Sequence, residues 1–252
     1  MNYSAFAQYY DALTRNVGYQ ERADYLCALL KHYGHDAGTV LDLACGTGSL
    51  TLELKQRGLD IYGADSSTEM LMQAQQKASA AGENILYLHQ QMQSLELYNP
   101  ADTILCTLDS LNHLPTGKEV AQTFAKVSEY LVPGGMFIFD MNTPYKHREI
   151  LGNHSFIYDI ETVYCIWQNR YQEEGCRVGI TLDFFERQNS LYKRKSEHFY
   201  ERAYEQVQIK TWLEQAHLRL LDAFGDMTQS SPVFDTQRIV YVAQKPADAN
   251  KN

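Results

Sequence analysis

The sequence predicts an α/β protein with a doubly wound, mostly parallel seven-stranded sheet, into which a small antiparallel β-sheet is inserted. From residue 36 to residue 143, short apolar segments alternate with longer helical segments, the pattern of a parallel sheet with crossover helices. After Thr143, apolar and polar residues alternate with period two, most clearly over residues 178–184, which indicates an antiparallel strand. The 252 residues are 44% hydrophobic and 21% charged, as is typical of one globular domain.

Turn residues bound the predicted elements, and right-handed crossovers bring the carboxyl ends of the parallel strands to one edge of the sheet. The first strand runs into a glycine turn at residues 45–48, and Gly58 and Gly82 end the first two crossover helices. The predicted strands of the main sheet are residues 39–43, 59–64, 85–89, 101–108, 136–141, 218–224 and 238–243. The predicted helices are residues 20–33, 49–57, 68–81, 118–131 and 205–216.

The same patterns divide the chain into five segments. They are an N-terminal helical cap (1–35), an α/β core that carries the ligand site (36–143), an inserted antiparallel β lid (144–204), the closing helix and strands of the core (205–245) and a tail (246–252). The lid is expected to hold three or four strands, including residues 156–167 and 197–204. The basic cluster at residues 193–195 is interpreted as a solvated turn.

Charge and cysteine content exclude several classes of function. A net charge of -9 repels phosphate backbones and anionic membranes, so neither nucleic acid nor membrane is an expected partner. The five cysteines lack C-x-x-C spacing, which argues against a disulfide framework or a zinc site and favours the cytoplasm. No run approaches the roughly 18 apolar residues of a membrane helix, and the start of the chain lacks a signal-peptide pattern. The scattered histidines predict no metal.

The glycine turn after the first strand is the most informative stretch. Glycines between a strand and a helix allow a ligand to approach the backbone and the helix N-terminus. A dinucleotide site requires G-x-G-x-x-G, but counting from Gly46 through Gly48 places Thr51 at the third glycine. Asp42, near the end of the strand, would be an unfavourable neighbour for a pyrophosphate and a favourable one for a cationic group.

Asp65 is the second candidate for ligand binding. It lies 17 residues beyond Gly48, at the end of the second strand, where a carboxylate can accept both hydroxyls of an adenosine ribose. Asp65 could instead cap the helix that starts near Thr68, although Ser66 or Ser67 would cap it equally well. The ligand implied is an adenosine with a positive, phosphate-free tail, a description that S-adenosylmethionine meets.

With these motifs the sequence resembles the Rossmann-like class I S-adenosylmethionine-dependent methyltransferases of the small-molecule type, most strongly over residues 39–143. Their first motif matches residues 42–48, with Ala44 where many members have a glycine. The N-terminal pattern of Phe6, Tyr9, Tyr10 and Asp11 resembles the segment that closes over the methionine portion. The cofactor-binding residues that the resemblance implies are Tyr9, Asp42, Ala44, Cys45, Gly46, Gly48, Asp65, Ser66, Met70, Gln91, Met92, Leu108 and Asp109.

Individual roles follow from the same resemblance. Met70 and Met92 would contact the adenine, although core packing is the more frequent role of methionine. Gln91 stands where many members have an aspartate, and its amide oxygen can still accept from the adenine amino group. Leu108 and Asp109 would lie beside the sulfonium.

The acceptor side offers weaker signals. His113, at the carboxyl edge of the fourth strand, is a candidate general base, or else it bonds a backbone carbonyl or caps the next helix. Tyr200, Arg202 and Tyr204 alternate along one face of the lid, where they line a substrate pocket or stiffen the strand. The substrate-site prediction comprises Asn112, His113, Tyr200, Arg202 and Tyr204.

The predicted reaction is in-line transfer of the methyl group to an N or O atom of a small molecule. Residues 109–112 replace the N-P-P-Y-type tetrad of enzymes that methylate nucleic-acid bases. The alternatives are a nicotinamide-dependent oxidoreductase and a non-catalytic domain that binds S-adenosylmethionine. The acceptor stays open, as does the choice between monomer and homodimer.

Overall fold

The structure, a computed structural model, describes residues 4–160 and 163–247. Its strands are β1 (Thr39–Leu43), β2 (Asp60–Asp65), β3 (Tyr87–His89), β4 (Ala101–Cys106), β5 (Leu131–Asn142), β6 (Ser155–Ile160), β7 (Val163–Gln172), β8 (Arg177–Gln188), β9 (Leu191–Arg202), β10 (Arg219–Gly225) and β11 (Arg238–Gln244). Its α-helices are α1 (Ser4–Leu13), α2 (Tyr19–His32), α3 (Ser49–Gln56), α4 (Thr68–Ala80), α5 (Gly117–Tyr130) and α6 (Gln206–Gln215). Of the predicted tail, residues 248–252 lie outside the described residues.

Seven strands form the main sheet, in the order β10-β11-β5-β4-β1-β2-β3. The pairs β1 with β2, β1 with β4, β2 with β3 and β4 with β5 are parallel, whereas β11 runs antiparallel to both β5 and β10. Strand order reverses between β1 and β4, which is where ligands bind in open sheets of this kind. The predicted fold class is confirmed.

The inserted sheet has four antiparallel strands in the order β6-β7-β8-β9. The segment predicted as one strand at residues 156–167 contributes to two, β6 and β7, which pair with each other. The basic cluster at residues 193–195 lies inside β9, so its assignment to a turn was wrong. Arg194 contacts Asp183 of β8 at 2.8 Å and Lys195 contacts Glu186 of the same strand, so cross-strand ion pairs keep the cluster in the sheet.

Helices cover both faces of the main sheet, and side chains of β5 alternate between the two cores. Phe137 and Phe139 pack with α5 and α6, their rings 4.6 Å apart, while Met136 and Ile138 pack with α2 and α3. A third apolar cluster joins α1 and strands β7, β8 and β9 of the lid to Met70 of α4. This cluster holds the lid and α1 against the core. Within residues 4–160 and 163–247, no helix is long and apolar enough to span a membrane.

Candidate active site

A cavity of about 130 Å³ lies where β1, β2 and β4 end, and its lining is mostly apolar with a few polar groups, as in small-molecule sites. Ten of the predicted site residues line it: Asp42, Ala44, Cys45, Gly46, Asp65, Ser66, Met70, Met92, Leu108 and His113. The sequence motifs therefore converge on one cavity. The predicted residues that do not line it are Tyr9, Gly48, Gln91, Asp109, Asn112, Tyr200, Arg202 and Tyr204.

Three residues of the loop after β1 have a left-handed backbone conformation. Ala44, Gly46 and Gly48 have φ angles of 62°, 55° and 69°. A left-handed alanine costs on the order of 1 kcal/mol, so Ala44 carries strain that a glycine would not. A Cβ added to Gly46 would meet no atom within 4 Å, whereas one on Gly48 would lie 2.8 Å from the Cβ of Ala74. Gly46 thus leaves space open for a ligand, and Gly48 lets α3 approach α4.

Asp65 fixes this loop from the neighbouring strand. Its carboxylate accepts hydrogen bonds from the backbone N–H of Gly46 at 2.9 Å and of Ser67 at 2.8 Å. The cap of α4 is Ser67, whose hydroxyl accepts from the backbone N–H of Met70 at 3.2 Å. Burial raises the pKa of Asp65, and the backbone hydrogen bonds oppose that shift. The carboxylate is therefore not consumed by helix capping and faces the cavity.

Asp42 is a buried carboxyl group beneath the loop. Its Oδ2 accepts a hydrogen bond from the hydroxyl of Thr51 at 2.5 Å. Burial raises the pKa of Asp42 to about 6, against the opposing effect of this hydrogen bond. Thr51, which breaks the dinucleotide fingerprint, thus has a specific partner that sequence reasoning missed. A nearby cation would stabilise the ionised form of Asp42.

The thiol of Cys45 also lines the cavity. Burial, with smaller contributions from Asp42 and Asp65, raises its pKa well above the ordinary value. A neutral thiol is a weak nucleophile, so we assign Cys45 no catalytic role.

Aromatic side chains from the N-terminal segment cover one side of the cavity. Phe6 and Tyr10 of α1, and Tyr19 at the start of α2, line it. Tyr9 points elsewhere and stacks on Phe184 of the lid with a ring separation of 5.6 Å. Residues four apart share a helix face, so the spacing of Phe6 and Tyr10 was the signal that could have identified Tyr10.

Asp11 ties α1 to the glycine loop. Its carboxylate accepts from the hydroxyls of Thr47 at 2.6 Å and Ser49 at 3.1 Å, and it forms an ion pair with Lys77 of α4. The N-terminal cover and the loop beneath it are therefore held as one unit.

The turn after β4 is held by a carboxylate that sequence reasoning missed. Leu108 and Asp109 have φ angles of 58° and 54°, and their backbone N–H groups donate to Asp140 of β5 at 2.8 Å and 2.7 Å. Asp109 contacts Arg238 at 2.6 Å. Burial opposes the ionisation of Asp109, but Arg238 and Lys146 outweigh it and lower its pKa. A charge within the apolar run 136–141 was the available signal for Asp140.

His113 ends a short 3-10 helix, and its ring lies against both the cavity and the lid. The imidazole Nε2 lies 3.8 Å from Oε1 of Glu201 in β9, and the ring centroid is 5.4 Å from that of Phe199. Glu201 is only 5% exposed. It alternates with Tyr200 and Arg202 along β9 and therefore occupies the opposite, buried face.

The remaining predicted residues have other partners. The side chain of Asn112 is buried and bonds only backbone groups, including the carbonyl of Arg202 at 2.8 Å. Gln91 is exposed and accepts from a neighbouring glutamine side chain at 3.4 Å. Tyr200 is 38% exposed under a guanidinium of β8, and Arg202 lies over the ring of Tyr204. None of these five predicted residues lines the cavity.

Asp109, His113 and Glu201 place one potential metal-ligand atom each within 4.8 Å of one another. Asp109 is already bonded to Arg238 and to the amide of Asn142, however. The positive charges of Arg238 and Lys146 would also oppose a divalent cation there. We interpret the group as part of an ion-pair network.

Known proteins are similar to this chain in sequence and in fold. A family model described as a methyltransferase domain matches residues 40–135. A protein of Geobacillus sp. (strain WCH70) that is named as a methyltransferase is 34% identical over 97% of this chain and 100% of its own length. The crystal structure of an S-adenosylmethionine-dependent methyltransferase from Clostridium acetobutylicum ATCC 824 is 33% identical, with a TM-score of 0.87 over 97% of this chain and 99% of that one.

A more distant structure shares the fold. CalS10 from Micromonospora echinaspora, an amino pentose methyltransferase solved with S-adenosylmethionine, has a TM-score of 0.73 over 94% of this chain and 96% of its own, at 19% identity. The fold and the similarity to these relatives define a class of α/β enzymes. The chain belongs to the class I S-adenosylmethionine-dependent methyltransferases.

Proposed function

We propose that the protein transfers the methyl group of S-adenosylmethionine to an N or O atom of a small molecule by in-line displacement. The observation that carries the proposal is the cavity, in which Asp65 and Asp42 flank a glycine loop with space above Gly46. Two carboxyl groups suit a cationic, phosphate-free nucleoside and disfavour a diphosphate. The similarity to methyltransferases supports the same conclusion.

The residues of the cavity fit this cofactor. Asp65 would accept the ribose hydroxyls, Met70 and Met92 would contact the adenine, and Asp42 would lie near the cationic tail. Phe6, Tyr10 and Tyr19 would exclude water from the methionine portion. When bound, S-adenosylmethionine supplies a methyl group on a good, neutral leaving group, so the protein contributes mainly alignment and desolvation.

His113 is the proposed general base, because its ring lines the cavity where β4 ends and the lid begins. An imidazole can take a proton from an amine or hydroxyl as the new bond forms. The N-terminal segment, whose Phe6 stacks on Phe199 of the lid, covers this side, which favours a small acceptor. The described cysteines are all free thiols, in keeping with the proposed cytoplasmic location.

A donor-dependent product screen tests the proposal. Purified protein is incubated with S-adenosylmethionine and a metabolite mixture, and release of S-adenosylhomocysteine is followed. We expect turnover in wild type, and a loss of 10²-fold or more in His113→Ala with donor affinity unchanged by calorimetry. Donor binding without turnover would support the non-catalytic alternative, and unchanged turnover in His113→Ala would reject the base.

A further inference from the structure

Two polar atoms beside the cavity, Oε1 of Glu201 and Nε2 of His113, have no hydrogen-bond partner among the described residues. Glu201 accepts one hydrogen bond from the described residues, at Oε2 from the Asn142 amide at 3.4 Å, and His147 Nε2 lies 3.6 Å from the same oxygen. Oε1 accepts no hydrogen bond from these residues. Nε2 of His113 lies 3.8 Å from Oε1. This separation is too long for a hydrogen bond. Glu201 is buried as a whole, yet its Oε1 has no donor among the described residues, so this oxygen is open to a group that the site would bind.

The geometry indicates that Nε2 is the nitrogen of His113 that contacts a ligand. Nδ1 of the ring is buried and has no partner among residues 4–160 and 163–247. The side chain as a whole is 27% exposed and lines the cavity, so Nε2 is the ring nitrogen that can bond to a ligand and take a proton from it. One atom placed beside both Nε2 and Glu201 Oε1 can contact the two at hydrogen-bond distance, because they are 3.8 Å apart.

The charge of the surrounding network favours a cation at this point. Arg238 contacts Asp109 and Asp140, Arg22 contacts Asp140 and Asp226, and the Lys146 ammonium donates to the Asn142 side chain. With Glu201 included, four carboxylates face three fixed cations. One negative charge is in excess, and Glu201 is the carboxylate without a cationic partner at hydrogen-bond distance.

We propose that the methyl acceptor is a primary or secondary amine whose nitrogen binds between His113 Nε2 and Glu201 Oε1. This inference rests on the proposed function and narrows it from N or O to N. As a general base, Nε2 carries no hydrogen, so Nε2 and Oε1 both accept. An ammonium has at least two N–H groups and can donate to both atoms, whereas a hydroxyl has one hydrogen and leaves one of these acceptors unpaired. The sequence-predicted face of β9, with Tyr200 and Arg202, is not involved.

The proton and electron balance is complete. One ammonium proton passes to Nε2 of His113, while Glu201 Oε1 keeps its hydrogen bond to a second N–H. The freed lone pair attacks the methyl carbon, a C–N bond forms, and the electrons of the broken C–S bond stay on sulfur. The product is the methylated ammonium with S-adenosylhomocysteine, and His113 later releases its proton to solvent.

Chemical capping of amines distinguishes N from O acceptors. A deproteinised bacterial metabolite extract is divided, and one half is treated with N-hydroxysuccinimidyl acetate, which acetylates amines. Both halves are incubated with the protein and methyl-labelled S-adenosylmethionine. We expect label transfer in the untreated half and its loss after acetylation. Transfer that persists after acetylation would overturn the amine proposal while leaving the proposed function standing, and no transfer in either half would overturn both.

Glu201→Gln removes the charge of the site with little change in shape. The labelled product from the wild-type reaction is titrated into protein loaded with S-adenosylhomocysteine, so that binding is measured without turnover. We expect E201Q to bind it about tenfold or more weakly, with S-adenosylhomocysteine affinity unchanged. Glu174→Gln, at an exposed turn between β7 and β8, is the matched control and should bind as wild type does.

Because Glu201 is buried, Glu201→Asp provides a second variant that keeps the charge and should retain more affinity than E201Q. Equal product binding by wild type and both Glu201 variants would overturn the proposal.

Discussion

The proposed donor side and the proposed acceptor side of the site are built in different ways. Most of the residues proposed for the donor side lie in two short, continuous stretches, residues 42–51 and 65–70, whose groups bond one another and the backbone. The acceptor side joins Asp109, His113, Glu201 and Arg238, which are up to 129 residues apart along the chain. The donor side is therefore a local motif, and the acceptor side is a product of tertiary packing.

This difference suggests that substitutions on the donor side should change cofactor affinity and leave the lid network intact. The opposite holds for Glu201, whose replacement should spare cofactor binding.

The largest effect is expected for Asp65→Asn. A neutral amide would lose the charge-assisted bonds proposed for the ribose hydroxyls, at a cost of about 3 kcal/mol, or ~100-fold in Kd. Calorimetric titration with S-adenosylmethionine measures this change. Asp60→Asn, at the exposed start of the same strand, should bind as wild type does. Equal affinity of D65N and wild type would remove Asp65 from the site.

The buried carboxyl of Asp42 predicts a pH dependence of stability. Burial raises its pKa to about 6 in the folded protein, against 3.8 for the ordinary group. The unfolded chain thus loses this proton at lower pH than the folded one, so the free energy of unfolding falls as the pH rises from about 4 to about 6. The loss is up to about 3 kcal/mol.

Urea unfolding of wild type and Asp42→Asn across this range isolates the contribution. As the pH rises from about 4 to about 6, the free energy of unfolding of wild type should fall relative to that of D42N. Above this range, the difference between the two should stay constant. A difference that does not vary with pH would contradict the buried, protonated carboxyl. A bound cation favours the ionised form of Asp42. Binding of S-adenosylmethionine near pH 6 should therefore release a proton from this carboxyl group.

A smaller effect is expected for Asp11→Asn, which weakens the link between α1 and the glycine loop. Loss of the ion pair with Lys77 should lower affinity for S-adenosylmethionine by about tenfold. Asp24→Asn removes a carboxylate that is exposed on α2 and serves as the control. Wild-type affinity in D11N would show that the cover does not depend on this contact.

The smallest change is a gain in stability from Ala44→Gly. Relief of the left-handed φ of 62° should raise the free energy of unfolding by about 1 kcal/mol or less. Ala80→Gly, in the last turn of α4, should lower it instead. Thermal unfolding of both variants checks the opposite signs, and a destabilised A44G would refute the strain argument.

Sequence reasoning predicted what local chemistry determines. The strand series, the glycine loop and the place of Asp65 follow from periodicity and turn residues, and the structure brings ten predicted residues to one cavity. The basic cluster at residues 193–195 was misassigned because its ion pairs with β8 are visible only once the strands are paired.

Glu201 and Asp140 were missed for the same reason. Their partners lie far away in the sequence, and β9 was interpreted by its polar face, with Tyr200 and Arg202, instead of its buried face. Strand alternation identifies two faces but does not state which one meets the ligand.

The central claim is that the acidic cavity at the ends of β1 and β2 binds a cationic nucleoside and does not bind a diphosphate. Calorimetric titration of the purified protein with S-adenosylmethionine, S-adenosylhomocysteine and NAD⁺ tests it most directly. We predict saturable binding of the first two compounds and no measurable heat with NAD⁺. Saturable binding of NAD⁺ without binding of either sulfur compound would contradict the account.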